Sequence, residues 1–189
     1  FEKVSYDQIY DEHIFIFSVT SVSKIFKLFD MELIDVLPQV THGGSMRYVV
    51  GRKNNHKINA NVNKFLELER IKDLDKIISC AKFKKECEQS KIKIRANLLE
   101  FKSNNYKIAG YAATSKSTTI INYCGIDNKL IDYICDTTPE KIGKFSPGAH
   151  IPIVNMNHFK NFHPDVTYLF AWNHKDEIFK KESDFTGKW

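Results

Sequence analysis

Three patterns of apolar and polar positions follow one another along the 189 residues. In the first, up to about residue 55, Ser21–Phe29 reads as helix and two strand candidates come after it. Glu32–Leu37 runs largely apolar up to Pro38, and Met46–Val50 is rich in β-formers and stops at Gly51. The second pattern, 56–103, is helical throughout. Val62, Phe65, Leu66, Leu68 and Ile71 recur at helical spacing; the series resumes at Ile77, Ile78, Ala81 and Phe83 and runs on to Leu98, Leu99 and Phe101. Asp73 is placed to cap the longer helix, and Ser103-Asn104-Asn105 to stop it.

In the third pattern, 104–189, strands alternate with helices, which argues for a parallel sheet. A hydrophobic strand ends at Gly110, a loop of small residues surrounds Lys116, and a helix with Ile120, Ile121 and Tyr123 follows. Leu130–Cys135 reads as a second buried strand that closes on Asp136. Gly143–Pro152 reads as a Gly/Pro-rich loop, Asp165–Trp172 as a third strand, and Asn173–Phe179 as a helix start capped by Asn173. Backbone N–H groups at a helix start point at an anion and the helix dipole adds to the attraction, so the first strand, loop and helix outline half of a nucleotide-binding α/β domain. The chain ends at Gly187-Lys188-Trp189, where a further strand is expected, so the sheet is expected to lack its last strand.

Composition is that of an ordinary globular chain, 42% hydrophobic and 27% charged. No apolar run is long enough to span a bilayer and no signal peptide opens the chain, so a cytoplasmic protein without a membrane partner is expected. Phe1 in place of methionine points to a piece of something longer. Cys80, Cys87, Cys124 and Cys135 form no CxxC pair, and free, buried thiols are expected. The net charge is +5 and lysines gather at Lys82, Lys84, Lys85, Lys91 and Lys93, but Glu86, Glu88 and Glu100 interleave with them. With no aromatic platform alongside, this is a solvated helix face rather than a nucleic-acid surface.

The chemistry-bearing residues lie in four places. Tyr10, Glu12 and His13 put a phenol, a carboxylate and an imidazole within four positions. That set suits proton abstraction beside a carbonyl, with His13 as base, Glu12 as its partner and Tyr10 as donor to an oxyanion; a polar loop is the alternative. At Thr41–Arg47, Gly43-Gly44 allow a sharp turn, Ser45 and Arg47 can donate to a ligand, and His42 offers a second imidazole; a hairpin with a polar tip is equally compatible. In the loop Gly110–Thr119, Ser115, Lys116, Ser117 and Thr118 are candidate phosphate donors, against a structural turn. His150, in the Gly/Pro-rich loop, is a candidate for the crevice at the C-terminal edge of the sheet, whereas His158 and His163 read as loop histidines and no metal site is expected.

Taken together these runs resemble the sugar-nucleotide C-methyltransferases that build branched deoxysugars, specifically their C-terminal part. Tyr10-Asp11-Glu12-His13 matches the family's Tyr-x-Glu-His run, and Thr41–Arg47 its His-Gly-Gly-Ser followed by arginine. Gly110-Tyr111-Ala112-Ala113-Thr114-Ser115-Lys116-Ser117 matches a Gly-Tyr-Gly-Ala loop that ends in Lys-Gly, and Ser146–Ile153 and Ala171–Ile178 are also family-like. Ala112 and Ser117 stand where the family has glycines, and a left-handed turn at either would be strained.

The resemblance implies an α/β fold: a Rossmann-like, mostly parallel C-terminal sheet at 104–189, a helical linker at 56–103, and the last strands of a class I methyltransferase domain at 1–55. It implies Tyr10, Glu12 and His13 as catalytic residues. His42, Ser45, Arg47, Tyr111, Ser115, Lys116, Thr118 and His150 would contact a nucleotide-sugar substrate. S-adenosylmethionine would bind upstream of this chain, and zinc would belong only to a preceding domain. The expected reaction is methylation of a carbon beside the ketone of a nucleotide-linked keto-deoxysugar, with the oligomeric state open and this chain alone inactive. A non-catalytic nucleotide-sugar-binding or regulatory module is the alternative, and a dinucleotide-dependent oxidoreductase is disfavoured by the missing GxGxxG.

Overall fold

The computed structural model describes residues 2–189. They form an α/β fold of two compact units, one of residues 15–85 and one of residues 2–14 with Glu86–Trp189. This division differs from boundaries near 55 and 103. One unbroken helix, α3 (Ile77–Ser103), crosses the division, and the N-terminal segment packs on the C-terminal α/β part.

In the 15–85 unit, α1 (Val19–Lys27) opens with a capping box in which Ser18 and Ser21 each accept the other's backbone N–H. The Glu69 carboxylate, from α2 (Ala60–Ile71), takes the next two orphan donors, Val19 N–H at 2.6 Å and Thr20 N–H at 2.8 Å. β1 (Met31–Gln39) and β2 (Ser45–Arg52) pair as an antiparallel hairpin with an irregularity between Leu33 and Asp35. The helices close over it through Val19, Val22, Leu33, Val36 and Val62. Asp73 does not cap α3. It sits in a turn at φ +51°, its carbonyl accepts the Lys76 N–H, its carboxylate pairs with Lys76, and the helix begins only at Ile77.

In the second unit, β3 (Ile108–Tyr111), β4 (Tyr133–Cys135), β5 (Ile153–Val154) and β6 (Val166–Leu169) form one parallel sheet in the order β5-β4-β3-β6. β3 is buried along its whole length, as the inner strand of a parallel sheet must be. Gly110 lies at its centre, where a Cβ would come within 2.7 Å of the Phe170 ring and 3.0 Å of Ile134. α4 (Ser115–Cys124) follows β3, capped by Thr114 and closed by left-handed Gly125.

Several local expectations change. The stretch after Gly143 contains β5 and then α5 (Met156–Phe162), capped by Asn155, so His158 is helical. The third strand is shorter than its apolar run. Asn173 lies in a 3₁₀ turn, Trp172–His174, ahead of α6 (Lys175–Lys181), and its side chain caps nothing. At the chain end Lys188 pairs in parallel with Val166, so the closing residues extend the sheet beyond β6. The four cysteines are free, with Cys80 exposed and the other three buried. Lys91 departs from a purely solvated face: it is half-buried, and its ammonium lies 5.1 Å from the Tyr123 ring centre.

Asp136, just past β4, ties the strand ends together. Its carboxylate accepts the Ala113 N–H at 2.7 Å and the Thr138 N–H at 2.8 Å, with the Lys141 ammonium at 3.6 Å. Burial alone would raise this carboxyl, but the Thr138 and Ala113 donors and Lys141 outweigh it and hold it below its usual value. A depressed carboxyl contributes stability that is present above the unfolded value near 4 and lost as pH falls through the folded one. Asp136→Asn is therefore expected to lower stability at neutral pH by about 1.5–3 kcal/mol, the worth of hydrogen bonds to a charge, and to flatten the fall below about pH 4. Urea unfolding across pH 2–7 reads both effects. Gly110→Ala should cost about 1–3 kcal/mol by overpacking Phe170 and Ile134, seen as a lower urea midpoint with an unchanged slope.

Candidate functional site

The chain goes from β3 through α4 to β4 on one side of the sheet and later returns to place β6 on the other. In an open parallel sheet, the crevice at the C-terminal ends of the strands where the order reverses is the usual ligand site. Leaving β3, Ala112 takes φ +74° and donates its N–H to the Cys135 carbonyl. The strain expected of a non-glycine residue in this loop is thus present, at a cost of about 1–2 kcal/mol. Ser117 shows none and lies inside α4. The cap engages the Ser117 amide on Thr114 Oγ1 at 3.1 Å and leaves the Ser115 and Lys116 amides facing out of the helix start.

Lys116 is not a solvent-exposed hook but a buried cation, 7% exposed. Its ammonium donates to Asn173 Oδ1 at 3.0 Å and lies 5.3 Å from the centre of the Trp172 ring. Burial pulls its pKa below the ordinary lysine value, and the Asp7 carboxylate opposes that shift. Trp172 Nε1 in turn donates to Asp7 at 2.7 Å, and Asp7 is itself buried. Cation, indole and carboxylate therefore interlock at the reversal point. Asp7, Trp172 and Asn173 were not among the candidates from sequence. The available signal was the end of the Asp165–Trp172 apolar run, which the strand-end rule places at the crevice; nothing marks Asp7.

Asp7 belongs to the 3₁₀ turn Tyr6–Gln8. The Tyr6 hydroxyl reaches Ser90 Oγ at 3.2 Å and Cys124 Sγ at 3.5 Å, and the Thr119 hydroxyl donates to the Ile9 carbonyl at 3.2 Å. Under this segment lies a cavity of about 450 Å³, lined by Tyr6, Asp7, Tyr168, Phe170 and Trp172 among others. Continuing from the turn, His13 stacks on Tyr10 with ring centres 4.1 Å apart, and its Nδ1 lies 2.7 Å from the Gln8 carbonyl. A carbonyl can only accept, so Nδ1 is the donor to Gln8, which in the neutral ring puts the lone pair on Nε2. Tyr10 has its pKa raised by desolvation and by the charges of Glu12, Asp7 and Asp11, so it remains a protonated donor. Glu12 is exposed.

The other candidates are scattered. Tyr111 is sealed in the core: its hydroxyl donates to buried Glu182 at 2.9 Å, and its ring meets Phe159 and Trp189 edge-on. Ser115 is exposed at the helix start, and the half-buried Thr118 hydroxyl bonds back to Thr114. His150 precedes β5 in a turn whose Pro147 carbonyl accepts from Asn122, late in α4. That is the edge where the strands begin, not the C-terminal edge. His42, Ser45 and Arg47 are exposed at the β1–β2 turn in the other unit, His42 at φ +56°.

The position that would take ribose hydroxyls is Asp136, whose two oxygens are held by Ala113, Thr138 and Lys141. Among the described residues no three His, Cys, Asp or Glu side chains are grouped to hold a metal ion.

Residues 40–189 match the family model for the C-methyltransferase C-terminal domain. The chain is also similar to the C-methyltransferase NovU of Streptomyces niveus, 29% identical over 181 residues, which are 95% of this chain and 43% of that protein. The chain thus spans less than half the length of that curated relative. With the model covering most of its residues, this protein belongs to the C-methyltransferase C-terminal domain family.

Proposed function

We propose that this chain is the nucleotide-sugar-holding part of an S-adenosylmethionine-dependent C-methyltransferase, and that the whole protein methylates a carbon beside the ketone of a nucleotide-linked keto-deoxysugar. Family membership and likeness to a C-methyltransferase along nearly the whole chain support the reaction class. The observation that carries the role of this part is the strand-end crevice, where the start of α4, Lys116 and Trp172 converge. A parallel sheet in the order β5-β4-β3-β6 supports a Rossmann-like reading of it. The outward amides of Ser115 and Lys116, with the Lys116 charge, suit a diphosphate, and Trp172 offers a face for a ring. The antiparallel β1–β2 pair suits the closing hairpin of a methyltransferase sheet. The methyl donor is assigned to a part of the whole protein outside these residues, which correspond to 43% of the length of the C-methyltransferase they resemble.

In this reading His13 Nε2 removes the proton beside the ketone, with the imidazole held in the required tautomer by the Gln8 carbonyl and against Tyr10. Tyr10, kept protonated by desolvation and three neighbouring carboxylates, donates to the enolate oxygen as charge develops there. In the whole enzyme His13→Ala should then lower turnover about 10²–10⁴-fold while leaving sugar-nucleotide affinity nearly unchanged. Deuterium wash-in at the substrate carbon is the direct readout, and exchange at the wild-type rate in the variant would remove His13 from the role.

The crevice itself is tested by calorimetry with uridine diphosphate, uridine and this chain. Lys116→Ala should weaken diphosphate binding by about 1.5–3 kcal/mol, as for hydrogen bonds to charged groups, and more so at low salt. Uridine should be insensitive. Asp7→Asn, which keeps an acceptor for Trp172 but removes the carboxylate acting on Lys116, should tighten diphosphate binding. Unchanged binding in both variants would make the loop a structural turn.

A further inference from the structure

At the opposite edge of the same sheet, where the strands begin, lies a second cavity of about 460 Å³. Lys107 stands just before β3, Asp132 just before β4 and Pro164 shortly before β6, and all three line it. Its wall is aromatic. His158 and Phe162 stack with ring centres 4.4 Å apart, Tyr133 meets His158 edge-on at 4.8 Å, and Phe162 is still 59% exposed. An aromatic face left open beside a cavity is an unfilled stacking surface.

Its charge is positive. Lys102 is answered by Asp132 at 2.6 Å, and the other Asp132 oxygen accepts the Ile108 N–H. Asp165 accepts the Lys107 backbone N–H, while the Lys107 ammonium has no ion pair among the described residues. Of the charged residues that line it, two lysines, Lys102 and Lys107, therefore face one aspartate, Asp132.

Tyr133 lines the cavity with its ring and not with its hydroxyl. Tyr133 is 9% exposed, and its hydroxyl is closed to water and reaches no partner. Native structures rarely keep such a group without a reason. Its phenol is pushed well above the ordinary value by burial, so it remains a donor.

We infer that this cavity is a second ligand site, distinct from the strand-end crevice, that takes a small planar aromatic anion. The ring stacks on Phe162 and His158, and the Lys107 side answers the charge. Cavities of this size hold one drug-sized molecule. The site does not depend on the methyltransferase reading, because it shares no residue with the crevice.

The test is an NMR titration of this chain with 2-naphthoate, set beside cyclohexanecarboxylate, which has no π face, and 2-naphthylmethylammonium, which has the opposite charge. Naphthoate should bind saturably at millimolar concentration with shifts centred on Tyr133, His158 and Phe162, and the two controls should bind much more weakly. Phe162→Ala, at an exposed side chain, should weaken it about five- to tenfold, the size of one ring contact, whereas Tyr133→Phe, which removes a hydroxyl closed off from the cavity, should bind as the wild type does. Lys107→Ala should weaken it and remove its salt dependence. Tyr133→Phe should also leave thermal stability unchanged or raised, since the hydroxyl it removes has no partner in the free protein. The proposal is overturned by no saturable shift, by shifts centred on the strand-end crevice, by equal binding of cyclohexanecarboxylate, or by wild-type affinity in Phe162→Ala.

Discussion

Asp7 and Lys116 share one indole, and the organisation of the strand-end crevice depends on that sharing. Neither charge could be buried alone, because an uncompensated ion in a protein interior costs several kcal/mol. Lys116 has the Asn173 amide oxygen, the face of Trp172 and the field of Asp7; Asp7 has the indole N–H. Cation–π attraction contributes about 2 kcal/mol when desolvated, and a hydrogen bond to a charge about as much. These contacts hold residues 2–14 against the end of β6 and the start of α4. The Tyr6 and Thr119 hydrogen bonds extend the attachment along α4. The segment that carries Tyr10 and His13 is thereby anchored in the same unit as the crevice, although more than a hundred residues of sequence separate them.

Elements with a strong period were legible and elements without one were not. The helical spacing through Leu99 and the all-apolar β3 and β4 appear in the structure close to where the pattern puts them. β5 was hidden because only two residues pair, next to Pro152, and a run that short carries no periodicity. α5 was hidden for a related reason: seven residues give two turns, with Asn155 as the only marker and two histidines that read equally well as loop. Asn173 and Asp73 are good capping residue types at plausible places, but tertiary contacts prevailed at both. Asn173 turns to Lys116, and Asp73 is held four residues ahead of its helix by a left-handed turn. The grouping of residues 2–14 with the C-terminal part had no local signal, because it rests on single side-chain contacts of long sequence separation.

The site was legible in residue type more than in geometry. A lysine after a strand and small-residue loop was recognisable, but not its burial, since that depends on Trp172 and Asp7 arriving from other segments. Tyr111, adjacent to the loop in sequence, points into the core because side chains alternate along a strand. Gly110, with no side chain, occupies the opposite face, where Phe170 and Ile134 close over it. His13 stood out by residue type as a candidate base, whereas the Gln8 carbonyl that its Nδ1 meets is a backbone group that no residue type announces.

The loop between β3 and α4 is held by backbone groups under tension. Ala112 sits at positive φ because its N–H must reach the Cys135 carbonyl while the next amide, Ala113, reaches Asp136. Glycine would occupy that conformation freely, so the alanine stores about 1–2 kcal/mol that the Asp136 and Lys141 contacts must offset. The loop is consequently fixed from the β4 side, while the Lys116 side is held by an internal carboxylate. In the proposed reading an incoming diphosphate meets amides already in place and a lysine whose field is partly answered. Its apparent dissociation constant rises as the inverse of the fraction of molecules in which Asp7 releases that field, and each 1.4 kcal/mol of Asp7 preference is a factor of about ten. Affinity at this crevice is then set less by the loop itself than by how firmly the N-terminal segment grips Trp172.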